Sequence, residues 1–128
     1  MNKGYIGLLT MLFIGAAVTA ISVTVILLGL SVSRSSFSIV QSAAARGLAD
    51  ACTEEALQQI RDFVPFSGSG SLSMGAGSCS YTVVKGTGQN RTATASGIVG
   101  TVVRKVKVTV TRINPQMTIG SWQEVVDF

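Results

Sequence analysis

The chain predicts an α+β fold in which one long N-terminal helix packs on a small antiparallel β-meander. Three observations predict it. Thirty consecutive residues, Gly4 to Ser33, carry no charge, and a helix-period pattern of apolar residues continues beyond them. A Gly/Ser-rich stretch comes next. The remainder alternates apolar and polar residues in short runs bounded by turn formers, the pattern of half-buried strands.

Composition sets the scale. Of the 128 residues, those outside the apolar run suffice for one small domain, near the lower limit for a self-sufficient core. Charged residues make up 12% and the net charge is +4, a modest basic excess compatible with anionic lipid or polymer nearby. There is no histidine, which removes the commonest general base, the commonest zinc ligand and any Ser-His or Cys-His nucleophilic pair. Neither an enzyme nor a bound cofactor or metal is expected.

Taken in order, residues 1–4 read as a short leader, 5–33 as a transmembrane or filament-core helix, 34–64 as an amphipathic helix half, 65–78 as a Gly/Ser-rich loop and 79–128 as an antiparallel sheet. A spanning helix needs about 20 apolar residues, so residues 5–33 exceed the requirement. Lys3 and the small residues Val18-Thr19-Ala20 also fit a cleaved secretory signal. Against it, the apolar character runs on through Ile21, Val23, Val25, Ile26, Leu27, Leu28 and Leu30, past the roughly 7 to 15 residues of a signal core. A retained single-pass helix is the favoured reading.

In the second half, Val40, Ala44, Leu48, Cys52, Ala56 and Ile60 fall at i+4 steps, flanked by Phe37, Ala51, Leu57 and Val64. The intervening Arg46, Asp50, Glu54, Gln58, Arg61 and Asp62 mark a wet face. Val64-Pro65 ends the helix, because a residue preceding proline is pushed out of the α region. The expected helix runs from about Tyr5 to Phe63. The loop that follows holds at most one short strand around Leu72 to Met74. Strands are then expected at Cys79 to Lys85, Arg91 to Val99 and Thr101 to Ile113, with one or two closing strands in Met117 to Ile119 and Trp122 to Phe128.

Cys52 and Cys79 fall short of the four ligands a structural zinc requires. An even count in a small exported domain favours a disulfide, which places the C-terminal domain outside the cytoplasm. Here it would pin helix to sheet. Glu54 and Glu55 diverge by about 100° on a helix and read as a solvated face rather than an acid/base pair. Lys85, Arg91, Lys105 and Lys107, with Arg104 and Arg112, are a candidate basic patch for nucleic acid. It lacks the interleaved aromatics that stack bases, and lysines on a wet strand face serve equally to protect an edge. Asn90-Arg91-Thr92 matches a glycosylation sequon in a turn, a short and common match.

Lys3-Gly4-Tyr5 ahead of an uninterrupted apolar helix resembles the processing site of type IV pilin-like proteins. The resemblance extends to the arrangement of long helix, connecting loop, antiparallel sheet and cysteine pair. It implies cleavage by a prepilin peptidase between Gly4 and Tyr5 and methylation of the new N-terminus. It further implies assembly with other pilins into a pilus or pseudopilus, through an inner-membrane assembly platform driven by a separate ATPase. The family's major subunits usually carry glutamate at the fifth mature position, which here is Leu9. Its absence resembles certain minor pilins and tip pseudopilins. The alternative from the residues alone is a membrane-anchored surface domain that binds a ligand and never polymerises.

Overall fold

The computed structural model describes residues 3–128. Helix α1 spans Lys3–Asp62 without interruption, and five strands follow: β1 (Gly68–Met74), β2 (Gly77–Lys85), β3 (Arg91–Val99), β4 (Val102–Arg112) and β5 (Thr118–Val125). The strands pair antiparallel in the order β1-β2-β3-β4-β5. This is the α+β meander predicted. The chain forms two compact units, Met1–Phe37 and Ser38–Phe128.

Within the first unit, the large apolar side chains from Tyr5 to Val32 are 52–75% exposed, except Leu9, which is half-buried. Nothing in their own unit covers them. Four hydroxyls interspersed among them turn inward on the helix itself. Thr10 donates to the Gly7 carbonyl at 2.8 Å, Thr19 to Ala16 at 2.8 Å, Ser22 to Val18 at 2.9 Å and Thr24 to Ile21 at 2.7 Å. Such back-bonding satisfies a hydroxyl without water. Among the described residues, α1 is the one helix long and apolar enough to cross a membrane.

In the second unit, the later turns of α1 lie on the sheet. Ala45, Ala49, Cys52, Ala56 and Ile60 are fully buried, and the last four meet Cys79, Val83, Ala93, Ala95, Val106, Val108 and Val110 from β2, β3 and β4. This stripe departs from the expected one. Val40 is 65% exposed and Ala44 is exposed as well. The reason is geometric: each i+4 step overshoots a full revolution by about 40°, so the path from Val40 to Ile60 rotates by roughly 200°. Mixed steps of three and four keep one face, and the sheet takes Ala45-Ala49-Cys52-Ala56-Ile60.

That face is built from small residues, and the sheet answers with Gly97. A Cβ built there would stand 2.1 Å from the Ala45 carbonyl oxygen and 2.6 Å from the Ala49 nitrogen. Helix backbone therefore rests almost directly on β3. On the neighbouring strand Cys79, the register partner of Gly97, is bonded to Cys52 with a Cα–Cα distance of 6.0 Å. The expected disulfide is present. Closing a loop with a sequence separation of 27 stabilises by about 3 to 4 kcal/mol on the chain-entropy account.

The Gly/Ser-rich segment is more ordered than its composition suggests. Instead of a loop through residue 78, the whole of Gly68–Met74 forms the edge strand β1, in register with β2 from Gly68↔Val83 to Met74↔Gly77. Intrinsic strand preference is poor there, so pairing supplies the order. Gly75-Ala76 and Gly100-Thr101 make two-residue hairpins, with φ near +60° at Gly75 and Gly100, the conformation that tight antiparallel turns require. The last stretch forms the single strand β5 rather than two.

The contact at Gly97 yields a matched pair of expectations. Gly97→Val drives side-chain atoms into helix backbone and lowers stability by about 3 kcal/mol or more. Gly47→Ala adds a Cβ with nothing within 4 Å and raises stability by up to about 1 kcal/mol, as removal of a helical glycine should. Denaturant unfolding of the full chain in detergent measures both.

Candidate functional site

The sequence nominated three kinds of site: a processing bond, a cysteine bridge and a basic patch. Gly4 and Tyr5 lie in the first turn of α1, where backbone N–H groups have no intrahelical acceptor. The Tyr5 side chain is 67% exposed. The bridge is described above.

The basic patch is not assembled. Arg91 is only 2% exposed, because it points from β3 toward the helix side of the sheet, in phase with buried Ala93 and Ala95. Its guanidinium donates to the carbonyls of Val64 at 2.7 Å, Asn90 at 2.7 Å and Gly88 at 3.1 Å. It ties the β2–β3 turn to the segment just past the end of α1, where helix carbonyls and the negative end of the helix dipole favour a cation. Gln89 strengthens the same corner, its Oε1 accepting from the backbone of Ile113 at 2.8 Å and Asn114 at 2.9 Å.

Lys105 and Lys107 alternate with buried Val106 and Val108 and so belong to the opposite, outward face of β4. Lys105 is ion-paired to Asp127 and sits 5.0 Å from the Phe128 ring centroid. The hydrogen bond from Lys105, with a second from the Phe128 backbone, holds the Asp127 carboxyl below its usual range. Lys85 and Lys107 are exposed, on different strands. Four cations that looked contiguous are thus divided between a structural corner, a C-terminal clamp and isolated surface positions.

Glu54 is exposed, and Glu55 accepts from Gln59 Nε2 at 2.9 Å. No group of three or more potential metal-binding side chains occurs among the described residues. Glu55 acts on Tyr81 instead. Burial, reinforced by the Glu55 charge, raises the Tyr81 phenol above its ordinary value. The Tyr81 ring lies against β1, and a Cβ at Gly70 would stand 2.5 Å from its hydroxyl.

One polar cluster was missed. Glu124 of β5 faces Arg104 at 3.1 Å and Arg46 of α1 at 3.7 Å, and Arg104 Nε also donates to the Ser42 hydroxyl at 3.0 Å. The sequence separation of these four residues hides the cluster. It is partly exposed, and pairs of this kind contribute about 1 kcal/mol or less.

A second omission is apolar. A groove of about 370 Å³ is lined by Ala44, Gly47 and Leu48 of α1, by the β1–β2 turn from Met74 to Gly77, and by Val99. Every lining residue is apolar or glycine. Gly77 makes room for Leu48, whose Cδ1 would lie 2.5 Å from a Cβ at that position.

No protein-family model, curated protein or solved structure matches this chain.

Two expectations follow. Arg91→Met strips donors from three carbonyls and lowers stability by about 2 kcal/mol, whereas Lys107→Ala stays within about 0.5 kcal/mol; chemical denaturation distinguishes them. Because the folded Tyr81 pKa is raised, its contribution is complete below the unfolded value of about 10 and is lost as pH climbs through the folded value. In a Tyr5→Phe background, tyrosinate absorbance should titrate above that of free tyrosine, and Glu55→Gln should bring the midpoint down while burial keeps it raised.

Proposed function

We propose that this chain is a structural subunit of a type IV pilus-like or pseudopilus filament, inserted by its apolar helix, trimmed between Gly4 and Tyr5 and assembled by packing that helix against sister helices. The observation that carries the reading is the character of residues 5–33. They are uncharged and apolar on all sides, and Thr10, Thr19, Ser22 and Thr24 satisfy their hydroxyls on the helix itself. A surface of that kind suits lipid or a bundle of like helices equally well. Transfer from one to the other changes hydrophobic free energy little, which lets an external motor extract and return subunits at modest expense.

The work assigned to the chain is mechanical and non-catalytic. Its partners are other pilin subunits, a prepilin peptidase, the membrane and an assembly platform. Before assembly it is a single-pass membrane protein with residues 38–128 outside the cytoplasm. The stapled second unit then forms the filament exterior.

Leu9 supports a second reading. A glutamate there would neutralise a neighbour's N-terminal amine inside an apolar bundle, where an unpaired charge is costly. Without it, a solitary anchor for a surface-binding domain is the competing role. Intact-mass and N-terminal analysis of membrane-extracted protein separates the two. A mature chain beginning at methylated Tyr5 is the expected result. Retention of Met1 would favour the anchor, and a start at Ile21 would identify a signal peptide and remove the filament reading.

A further inference from the structure

We infer that one end of the second unit is a footprint for the surface of an anionic phospholipid leaflet, and that it rests on the bilayer that takes residues 5–33. The footprint presupposes that those residues are inserted in a membrane, as the filament reading proposes and a solitary anchor would also require.

The end in question is the one at which this unit's stretch of α1 begins. Arg104, near the start of β4, donates to the Ser42 hydroxyl at 3.0 Å, and Glu124, near the end of β5, lies 3.7 Å from Arg46. The β1–β2 turn from Met74 to Gly77 sits beside Ala44 and Leu48. A Cβ on Gly100, in the β3–β4 turn, would stand 2.9 Å from Gln41 Nε2. The last residues of the chain join them, Asp127 and Phe128 both meeting Lys105.

These segments carry apolar side chains that the fold leaves uncovered. Val126 is 98% exposed and Phe128 57%, and Ile39, Val40, Met74 and Val103 are exposed as well. Turns do not require them. At the opposite end the connections are Gly86-Thr87-Gly88-Gln89-Asn90 and Asn114-Pro115-Gln116, polar and turn-forming. Phe63, Val84 and Ile119 are exposed there too, but no apolar helix leads into that end.

The charge set among the apolar tips is basic. Arg46, Arg104 and Lys105 stand against Glu124 and Asp127, three cations to two anions. Arg46 is the least engaged of the three, with its side chain 64% exposed. An apolar rim holding cations matches the boundary layer of an anionic leaflet. Aliphatic and aromatic tips enter the zone between headgroups and acyl chains, while the cations stay level with the phosphates and lay their stems along the apolar part.

Chain length selects the occupant. Arg34 is the first charge after the apolar run, and Ile39 follows five positions later. Charge is costly in hydrocarbon, so Arg34 marks the headgroup level. Whatever the orientation of the two units, so short a chain spans at most about 18 Å. Insertion of the helix therefore delivers Ile39, and the segments packed around it, to the leaflet. Tethering of this kind makes a weak contact persist. Release of the footprint is then a step that extraction from the bilayer has to include.

Tryptophan quenching on the full chain tests it. Trp122 is the only tryptophan, so a Trp122→Phe background leaves one reporter in each of three chains. Val126→Trp reports the footprint, Val84→Trp the opposite end and Phe13→Trp the apolar helix. Val126 and Val84 are both exposed, so neither substitution disturbs the core. The chains are reconstituted in phosphatidylcholine vesicles, with or without phosphatidylglycerol, and with or without lipid brominated on the acyl chain near the headgroup. With phosphatidylglycerol present, the Val126→Trp chain should be quenched about threefold more than the Val84→Trp chain. It should also be quenched about twofold more than in phosphatidylcholine alone. Equal quenching of the two ends, or no dependence on phosphatidylglycerol, would overturn the footprint. The Phe13→Trp chain keeps the failures apart. Quenching there, with none in the Val126→Trp chain, ends the footprint alone. A Phe13→Trp chain that stays bright removes the inserted helix, and the footprint and the proposed function fall together.

Discussion

The constraint on which the molecule turns is that its first unit cannot bury its own surface. Side chains such as Ile6, Leu8, Phe13, Ile26 and Leu28 stand 62–69% exposed. Burial of each would be worth about 1.5 to 3 kcal/mol. Summed along the segment, this reaches tens of kcal/mol, beyond the 5 to 15 or so that stabilise an ordinary domain. In the filament reading proposed above, lipid and then sister chains supply that burial. The hydroxyls bonded to their own helix carbonyls fit this demand, because an unsatisfied polar group in either setting would be expensive.

The second unit meets the opposite problem. Its core is small and short of large side chains: alanines on the helix, alanines and Gly97 on β3, valines on β4. Volume is replaced by closeness. With helix backbone seated on β3, modest side chains fill the gap that remains, and the Cys52–Cys79 bridge fixes the contact from the adjacent strand. Arg91 and Gln89 then close the far corner by bonding loops to one another. Lys85 and Lys107 remain as exposed charges outside these contacts.

Much of this could be read from residue order, and the failures have identifiable causes. The apolar helix, its end near Pro65, the two central strands and the bridge between Cys52 and Cys79 each rest on local or pairwise signals. The inner stripe was misplaced at Val40 and Ala44 because a chain of i+4 steps precesses around the helix. Gly68–Met74 became a strand through pairing with β2, which composition cannot reveal. Arg91 reads as a surface cation because its charge is visible in sequence, whereas the Val64 carbonyl that draws it inward lies 27 residues away. The groove at Ala44 and Gly47 depends on where the β1–β2 turn falls against the helix, a tertiary fact with no sequence mark beyond the glycines themselves.

What distinguishes the filament account from a solitary anchor is the material surrounding residues 5–33 in the working state. Cryo-electron microscopy of fibres sheared from cells making this chain addresses it directly. The account predicts a central bundle in which density for residues 5–33 of each copy is enclosed by the same segment of its neighbours, with the disulfide-stapled sheets outside. Fibres whose density does not accommodate this chain, with the protein found only in membranes as single copies ringed by lipid, would contradict it.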